Sequence, residues 1–537
     1  MKKNILILLL LMSAMSLHAQ DEVRAIGAAM DTIMRVFTRN EILDRIADDV
    51  YKRYPTAAVA ARIGKSYYTY NEDDKGNRDF HKRDTIRAFY FIREAIRLDK
   101  TCAPAYILAG DILAYQGERE AALAWLDAGI KANPTDSALY KASTDVLFNV
   151  GRAEVLELQR RGDHTTDRIA LYKPAIEQLE KLKEKDPNYP LDIELARLYY
   201  KMYDKGGTQP FVQIAEHYGK VELKDLNKGD LGIYAMALNY TNQYKTLVEV
   251  TDYALKKYSD DHGLNQFHFY GKLGVAGLEE DAEKKVQLYK EAISAADKFF
   301  AVADKSKLEA LQYLRYGKAF NGAKEYDKAI EVYNDILKMP NIEEKDVNDA
   351  YNHIASTMKG VANNYIKAGD YASAVTIYEK FIQDRKAINR YDAEMPNMLG
   401  NIYRAWAGEL TGDEQSAKYM EADKMYETWQ NDFPIYNDIA LYNRISVRIN
   451  ADPEWFNAPY SYMPALADEL IRIINEKGAT SSGEKQRLAY AYFLLSYYYA
   501  MTKKSNRKLV VEYAEKVIEL EPEHPGANNL LKIFKKK

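Results

Sequence analysis

The sequence predicts an all-α protein made of repeated antiparallel helix pairs. Three observations predict it. Helix breakers are scarce, with 15 Pro and 27 Gly in 537 residues, and helices tolerate neither well. A set of small and large apolar residues recurs along the chain in one fixed order. Within each set the steps are four and three residues, which puts its members on one face of a helix.

The composition is that of an ordinary globular chain, 47% hydrophobic and 29% charged, with no sign of global disorder. Tyrosine dominates the aromatic residues, with 44 copies. Formal charge is -4, and the only basic block is the short Lys535 to Lys537 tail. That gives no electrostatic footprint for DNA or RNA, so nucleic acid is not an expected partner.

The first element is a leader. Lys2 and Lys3 form a positive n-region, Ile5 to Met12 an apolar run, and Leu17-His18-Ala19 a cleavage site ending at Ala19. Residues 1–19 thus read as a bacterial-type signal peptide, too short to span a bilayer. No later stretch reaches about 18 uncharged apolar residues, so no transmembrane span is expected. Cys102 is the only cysteine, which excludes an intrachain disulfide. No cysteine follows the leader as a lipid anchor would require. The expectation is a soluble protein exported to the periplasm, with an extracellular location as the alternative.

The repeating set is clearest in residues 103–136, where Gly110 is followed by Ala122, Leu126, Gly129 and Pro134. Gly317 leads in the same way to Ala329, Tyr333, Ile336 and Pro340, and Ala362 to Ala374, Tyr378 and Phe381. The second half recurs as Ala175-Leu179-Leu182-Pro187, Ala422-Tyr426-Trp429-Pro434 and Val510-Ala514-Val517-Pro522. Ala88-Ile92-Ala95 and Leu43-Ala47-Val50-Pro55 add two weaker copies. Small residues are needed where two helices cross closely, because a large side chain would push the backbones apart. The closing proline stops the second helix, lacking a donor and clashing with the preceding turn. Gly117-Glu118-Arg119 and Gly369-Asp370-Tyr371 are the turns within pairs.

These residues resemble tetratricopeptide repeats, whose period is roughly 34 residues. Glu325-Tyr326-Asp327-Lys328-Ala329-Ile330 and Asp370-Tyr371-Ala372-Ser373-Ala374-Val375 are similar to that family's turn into its second helix. The resemblance implies a right-handed superhelical solenoid of about a dozen helix pairs over nearly all of the mature chain. The expected organisation is a leader (1–19), an N-terminal array with insertions (20–222), a central array (223–451), and a C-terminal part with a capping helix near Gly526 to Phe534 (452–537). Insertions are expected at 71–84, 151–167 and 409–415, and irregular joints at 205–229 and 452–464.

A search for chemistry finds little. There is no HExxH, no nucleophile elbow and no Walker loop, so neither catalysis nor a cofactor is expected. Cys102 reads as a small buried hydrophobe. His262 and His268 are not at a same-face ligand spacing, and no metal site is expected. Asn71 to Asn77 is faintly similar to a calcium loop. Lys75 and Lys82 stand where oxygen ligands are wanted, so it reads as a solvated loop.

In the resembled family the inner surface is lined by the first helix of each pair. Counting from the small residue, this selects Leu314, Lys318 and Asn321, then Lys359, Asn363 and Ile366, then Asn397, Asn401 and Arg404, with His268 and Lys272 in the preceding unit. Asn both donates to and accepts from a peptide backbone, and Lys and Arg pair with carboxylates. Lys359 and Asn363 match half of the family's carboxylate clamp, but Met398 replaces its second Asn. The stripe suggests an extended or acidic protein segment as partner. A second reading is glycan binding on aromatic platforms, with Tyr490, Phe493 and Tyr497 as the best candidates, and Tyr199-Tyr200-Tyr203 and Tyr67-Tyr68-Tyr70 as further clusters. The leading expectation is a non-enzymatic protein-binding scaffold in the periplasm, serving envelope assembly or secretion.

Overall fold

A computed structural model describes residues 19–36, 41–68, 71–72, 78–79, 84–163, 165–204, 208–452, 454–455, 462–502 and 506–535. The leader, apart from Ala19, lies outside the described residues, as do 73–77 of the weak calcium-like loop. The chain divides into two compact units, Met1–Lys305 and Ser306–Lys537. No helix among the described residues is long and apolar enough to cross a membrane.

Unit 1 holds α1 (Ala19–Val36), α2 (Glu41–Arg53), α3 (Ala57–Tyr68), α4 (Thr85–Leu98), α5 (Ala103–Gln116), α6 (Arg119–Ala132) and α7 (Ser137–Arg160). It continues through α8 (Lys173–Lys185), α9 (Leu191–Met202), α10 (Phe211–Tyr218), α11 (Lys228–Tyr240), α12 (Tyr244–Leu255), α13 (His262–Leu278) and α14 (Ala282–Val302). Unit 2 holds α15 (Ala310–Gly322), α16 (Tyr326–Ile336), α17 (Glu344–Lys367), α18 (Tyr371–Ala387), α19 (Glu394–Gly408) and α20 (Gly412–Asp432). It ends with α21 (Asn437–Ala451), α22 (Met463–Lys477), α23 (Ser482–Met501), α24 (Arg507–Leu520) and α25 (Pro525–Phe534).

Among the described residues the protein is all-α apart from one two-stranded ribbon. Odd-numbered helices open each pair and even-numbered ones close it, and α25 follows as a single helix. Within each unit a helix packs on its neighbours in sequence. First helices also touch one another along the row: α1 with α3, α3 with α5, α5 with α7, α9 with α11 and α11 with α13. In unit 2 the same holds for α15 with α17, α21 with α23 and α23 with α25. Each unit is therefore a stack of pairs, with a layer of first helices beside a layer of second helices.

The recurrent small residues do what the pattern requires. A β-carbon at Gly110 would stand 2.8 Å from Leu126 Cγ, one at Gly317 only 2.3 Å from Tyr333 Cε1, and one at Gly400 2.7 Å from Tyr426 Cε1. Ala122, Ala175, Ala329, Ala374, Ala422 and Ala514 are all buried. The turn inside the pair also repeats. Gly117 and Gly369 take positive φ two residues before the second helix starts, and Asn242 and Lys324 hold the same place with φ of 57° and 64°.

Several expected irregularities are more regular than predicted. Residues 71–72 and 78–79 pair as an antiparallel ribbon, Asn71 opposite Asp79. Residues 151–160 are not an inserted loop but the last turns of α7, whose Gly151 lets Leu171 and Tyr172 approach closely. Gln415 lies inside α20, so the link after α19 is only 409–411. The stretch 205–229 contains α10, whose Phe211, Ile214, Ala215 and Tyr218 are buried. The short final helix is present as α25, capped by the His524 ring, which accepts from Ala527 N.

Candidate interaction surfaces

In unit 2 the predicted stripe lies on α15, α17 and α19, but its members differ in what they are free to do. Lys318, Asn363 and Arg404 are exposed and Asn321 half-buried, and none of their side chains makes a hydrogen bond or ion pair among the described residues. Lys359 is committed: its Nζ lies 2.5 Å from Glu394 Oε1 of the next pair. Asn401 is committed too, accepting from Tyr426 Oη at 2.8 Å and donating weakly to Asn397 Oδ1 at 3.4 Å. His353, near Lys318, stacks on Tyr333 with ring centroids 5.2 Å apart, and burial pushes its pKa down.

His268 and Lys272 belong to unit 1. His268 is turned toward α12, with Nδ1 3.0 Å from Thr251 Oγ1 and 3.8 Å from Asp252 Oδ1, and only 13% of its side chain is exposed. Burial lowers its pKa, although Asp252 opposes the shift. Lys272 donates to Glu291 of its own pair at 2.9 Å. Both side chains are thus occupied in holding helices together.

The aromatic candidates do not form an open platform. Tyr490 packs on Tyr442, with centroids 5.1 Å apart, and burial raises its pKa to about 12. Phe493 covers His524 at 4.6 Å, and Tyr497 lies 6.1 Å from Trp455. The cause is the setting of α23, which touches α21, α22, α24 and α25. A helix covered on most sides is apolar all round, so its local sequence does not tell an inward ring from an outward one. Tyr199 stacks on His217 and Tyr203 packs at a tilt against Phe211, while Tyr200 is exposed. Tyr67 is buried against Phe91, Tyr68 is half-buried, and Tyr70 lies outside the described residues.

Two grooves on the side of the second helices were not anticipated. In unit 1, α4, α5 and α6 border an open groove of about 840 Å³, whose lining includes Trp125, Ala128, Arg93, Lys100 and Lys131. In unit 2, α16, α17 and α18 enclose about 510 Å³ that is lined mainly by apolar side chains and by Arg385. A signal for the second groove was present. Ala374, Tyr378 and Phe381 set a buried stripe, and the next step of four lands on Arg385, which is itself buried. Burial lowers the pKa of this guanidinium, with Asp392 opposing. Among the described residues no cluster of His, Cys, Asp and Glu is placed to hold a metal ion.

No protein-family model matches the chain, and no curated protein matches it either. Among the solved structures to which it is similar are tetratricopeptide-repeat proteins. One is the C-terminal part of a repeat-containing protein from Cytophaga hutchinsonii, 17% identical over 56% of this chain and 99% of that one, with a TM-score of 0.34. Another is a tetratricopeptide-repeat protein from Parabacteroides merdae, 13% identical over 51% and 92%, with a TM-score of 0.25. A third is the tetratricopeptide domain of P58(IPK), 13% identical over 84% and 95%, with a TM-score of 0.21. At these values the repeat assignment rests on the chain's own geometry: stacked antiparallel helix pairs, a small residue under a large one at each close crossing, and a recurrent left-handed turn make it an all-α array of tetratricopeptide-like pairs.

Proposed function

We propose that this chain is a non-enzymatic scaffold that binds other proteins through the first-helix row of unit 2. The observation that carries the reading is the set of unengaged polar side chains there: Lys318, Asn321, Asn363 and Arg404. Cationic and amide donors on neighbouring first helices suit an extended acidic segment, whose backbone and carboxylates they can meet together. The leader pattern of residues 1–19 supports export to the periplasm, and work at an envelope assembly or secretion machine fits that location. The half-buried state of Tyr490, Phe493 and Tyr497 favours a protein partner over a glycan.

The test replaces Lys318, Asn363 and Arg404 together by Ala and crosslinks the variant in its native envelope. Specific adducts formed by the natural chain should disappear while the helical spectrum and melting temperature hold. An unchanged adduct pattern would refute the first-helix row as the binding surface.

A further inference from the structure

The groove of unit 2 contains a charge that the protein itself does not satisfy. Arg385 is only 6% exposed. Its Nε and Nη1 are enclosed and have no hydrogen-bond partner among the described residues. The guanidinium carbon lies 4.7 Å from the ring centre of Tyr351 and 5.6 Å from that of Phe381. Ring faces attract a cation, but they supply no acceptor for its N–H groups. Arginine keeps its proton inside proteins, so it cannot escape the mismatch by neutralising. Buried charges without a partner are strongly unfavourable, and such groups are ordinarily paired.

The surroundings define what would complete the site. Ile330, Leu337, Met358, Val361 and Ile377 line the groove around Arg385. Asp327, Asp384 and Lys380 also line it, yet all three are exposed and neither carboxylate forms an ion pair with Arg385, on which Asp392 acts only through its charge. Arg390 also lies 5.2 Å from the Tyr351 ring centre and donates to Asn348. The missing element is therefore an acceptor carried by something apolar enough to fill the groove. A carboxylate accepts a charge-assisted hydrogen bond from a guanidinium and neutralises its charge.

We infer that this groove binds an apolar segment of a partner protein and pairs Arg385 with a carboxylate on that segment. The inference rests on the reading of the chain as a protein-binding scaffold, but it uses the second-helix side rather than the first-helix row. Arg385 is then retained for recognition at a cost to the stability of the free protein, a trade-off common at binding sites.

The experiment uses the full chain and a labelled 12-residue peptide with one Glu set among Leu residues on a single face. Its counterpart carries Gln in place of Glu. The Glu peptide is expected to bind at least tenfold more tightly than the Gln peptide. In Arg385→Met that difference should vanish while the melting temperature rises, because an unpaired charge has been removed. Ile377→Asp, which places a like charge on the groove wall, should also weaken the Glu peptide at least tenfold, and it decides the matter if Arg385→Met fails to fold. The triple variant at Lys318, Asn363 and Arg404 should bind the Glu peptide normally. No binding, equal binding of the two peptides, or a preference that survives Arg385→Met overturns the proposal. Loss of binding only in the triple variant assigns the peptide to the first-helix row and likewise overturns the groove.

Discussion

Arg197 grips Asp230 with two parallel hydrogen bonds, Nε to Oδ1 and Nη2 to Oδ2, each 2.8 Å long. The pair ties α9 to α11 across successive helix pairs, and Tyr218 Oη adds a third donor at 2.9 Å. The Asp230 side chain is only 3% exposed, that of Arg197 38%. Removing one partner of a buried pair costs about 3–5 kcal/mol, and water reaching Arg197 reduces this. Arg197→Ala is expected to cost about 2–3 kcal/mol in urea denaturation. A loss below about 0.5 kcal/mol would mean the pair does not hold the joint.

Asp438 offers a prediction about pH. It accepts from Lys477 Nζ at 2.5 Å and from Arg487 Nη2 at 2.6 Å, joining α21 to both α22 and α23. Burial pushes its pKa up, but the hydrogen bonds from Lys477 and Arg487 outweigh that and hold the carboxyl below its ordinary value. A carboxyl with a depressed folded pKa stabilises the fold above its unfolded pKa of about 4. That contribution is lost as pH falls through the folded value. Asp438→Asn should therefore be less stable than the natural chain at neutral pH, and the gap should close on acidification below about pH 4. Thermal melts from pH 7 to pH 2.5 measure it, and a gap that widens in acid contradicts the assignment.

Two glycines in unit 2 should respond in opposite directions to the same substitution. A β-carbon at Gly317 collides with Tyr333, whereas one at Gly360 in α17 meets nothing within 4 Å. Gly317→Ala is expected to destabilise by about 1–3 kcal/mol through overpacking. Gly360→Ala is expected to stabilise by about 0.5–1 kcal/mol, since helix interiors disfavour glycine. Equal effects in chemical denaturation would contradict the close crossing of α15 and α16.

Lys324 carries backbone strain that Gly117 and Gly369 avoid at the same place in their turns. It holds φ of 64° where Gly117 and Gly369 hold 86° and 77°. A side chain in this region clashes with the following carbonyl, so Lys324→Gly should stabilise by about 0.5–1 kcal/mol. Gly369→Lys should destabilise by a similar amount. The matched pair of melts checks both signs.

The packing between helices and the glycine turns within pairs were largely legible in the sequence, and the contacts between pairs were not. Ala374, Tyr378 and Phe381 announce a buried face because period and residue size are local properties of the chain. The turn at Lys324 is silent because a lysine does not advertise the left-handed conformation that its neighbours impose, whereas Asn242 gives only the weak signal that Asn tolerates it. The ion pair of Lys359 with Glu394 joins separate helix pairs, and no local period encodes such a contact. Lys359 therefore read as available when its charge was already engaged. Tyr490, Phe493 and Tyr497 misled for the related reason that α23 is covered on several sides. Arg385 was in plain view on an apolar stripe, but the recurrent pattern ends one step before it in the shorter α16.

Tyr333, Tyr378 and Tyr426 stand at the same step of α16, α18 and α20, and all three are buried. Three successive modules of unit 2 thus share one fastening. A duplication or deletion that removes or adds a whole helix pair joins like to like, whereas a cut within a pair separates a ring such as Tyr333 from the glycine beneath it. Unit 2 is built so that its length can change in whole modules, lengthening or shortening the surface available to a partner without redesigning the joints.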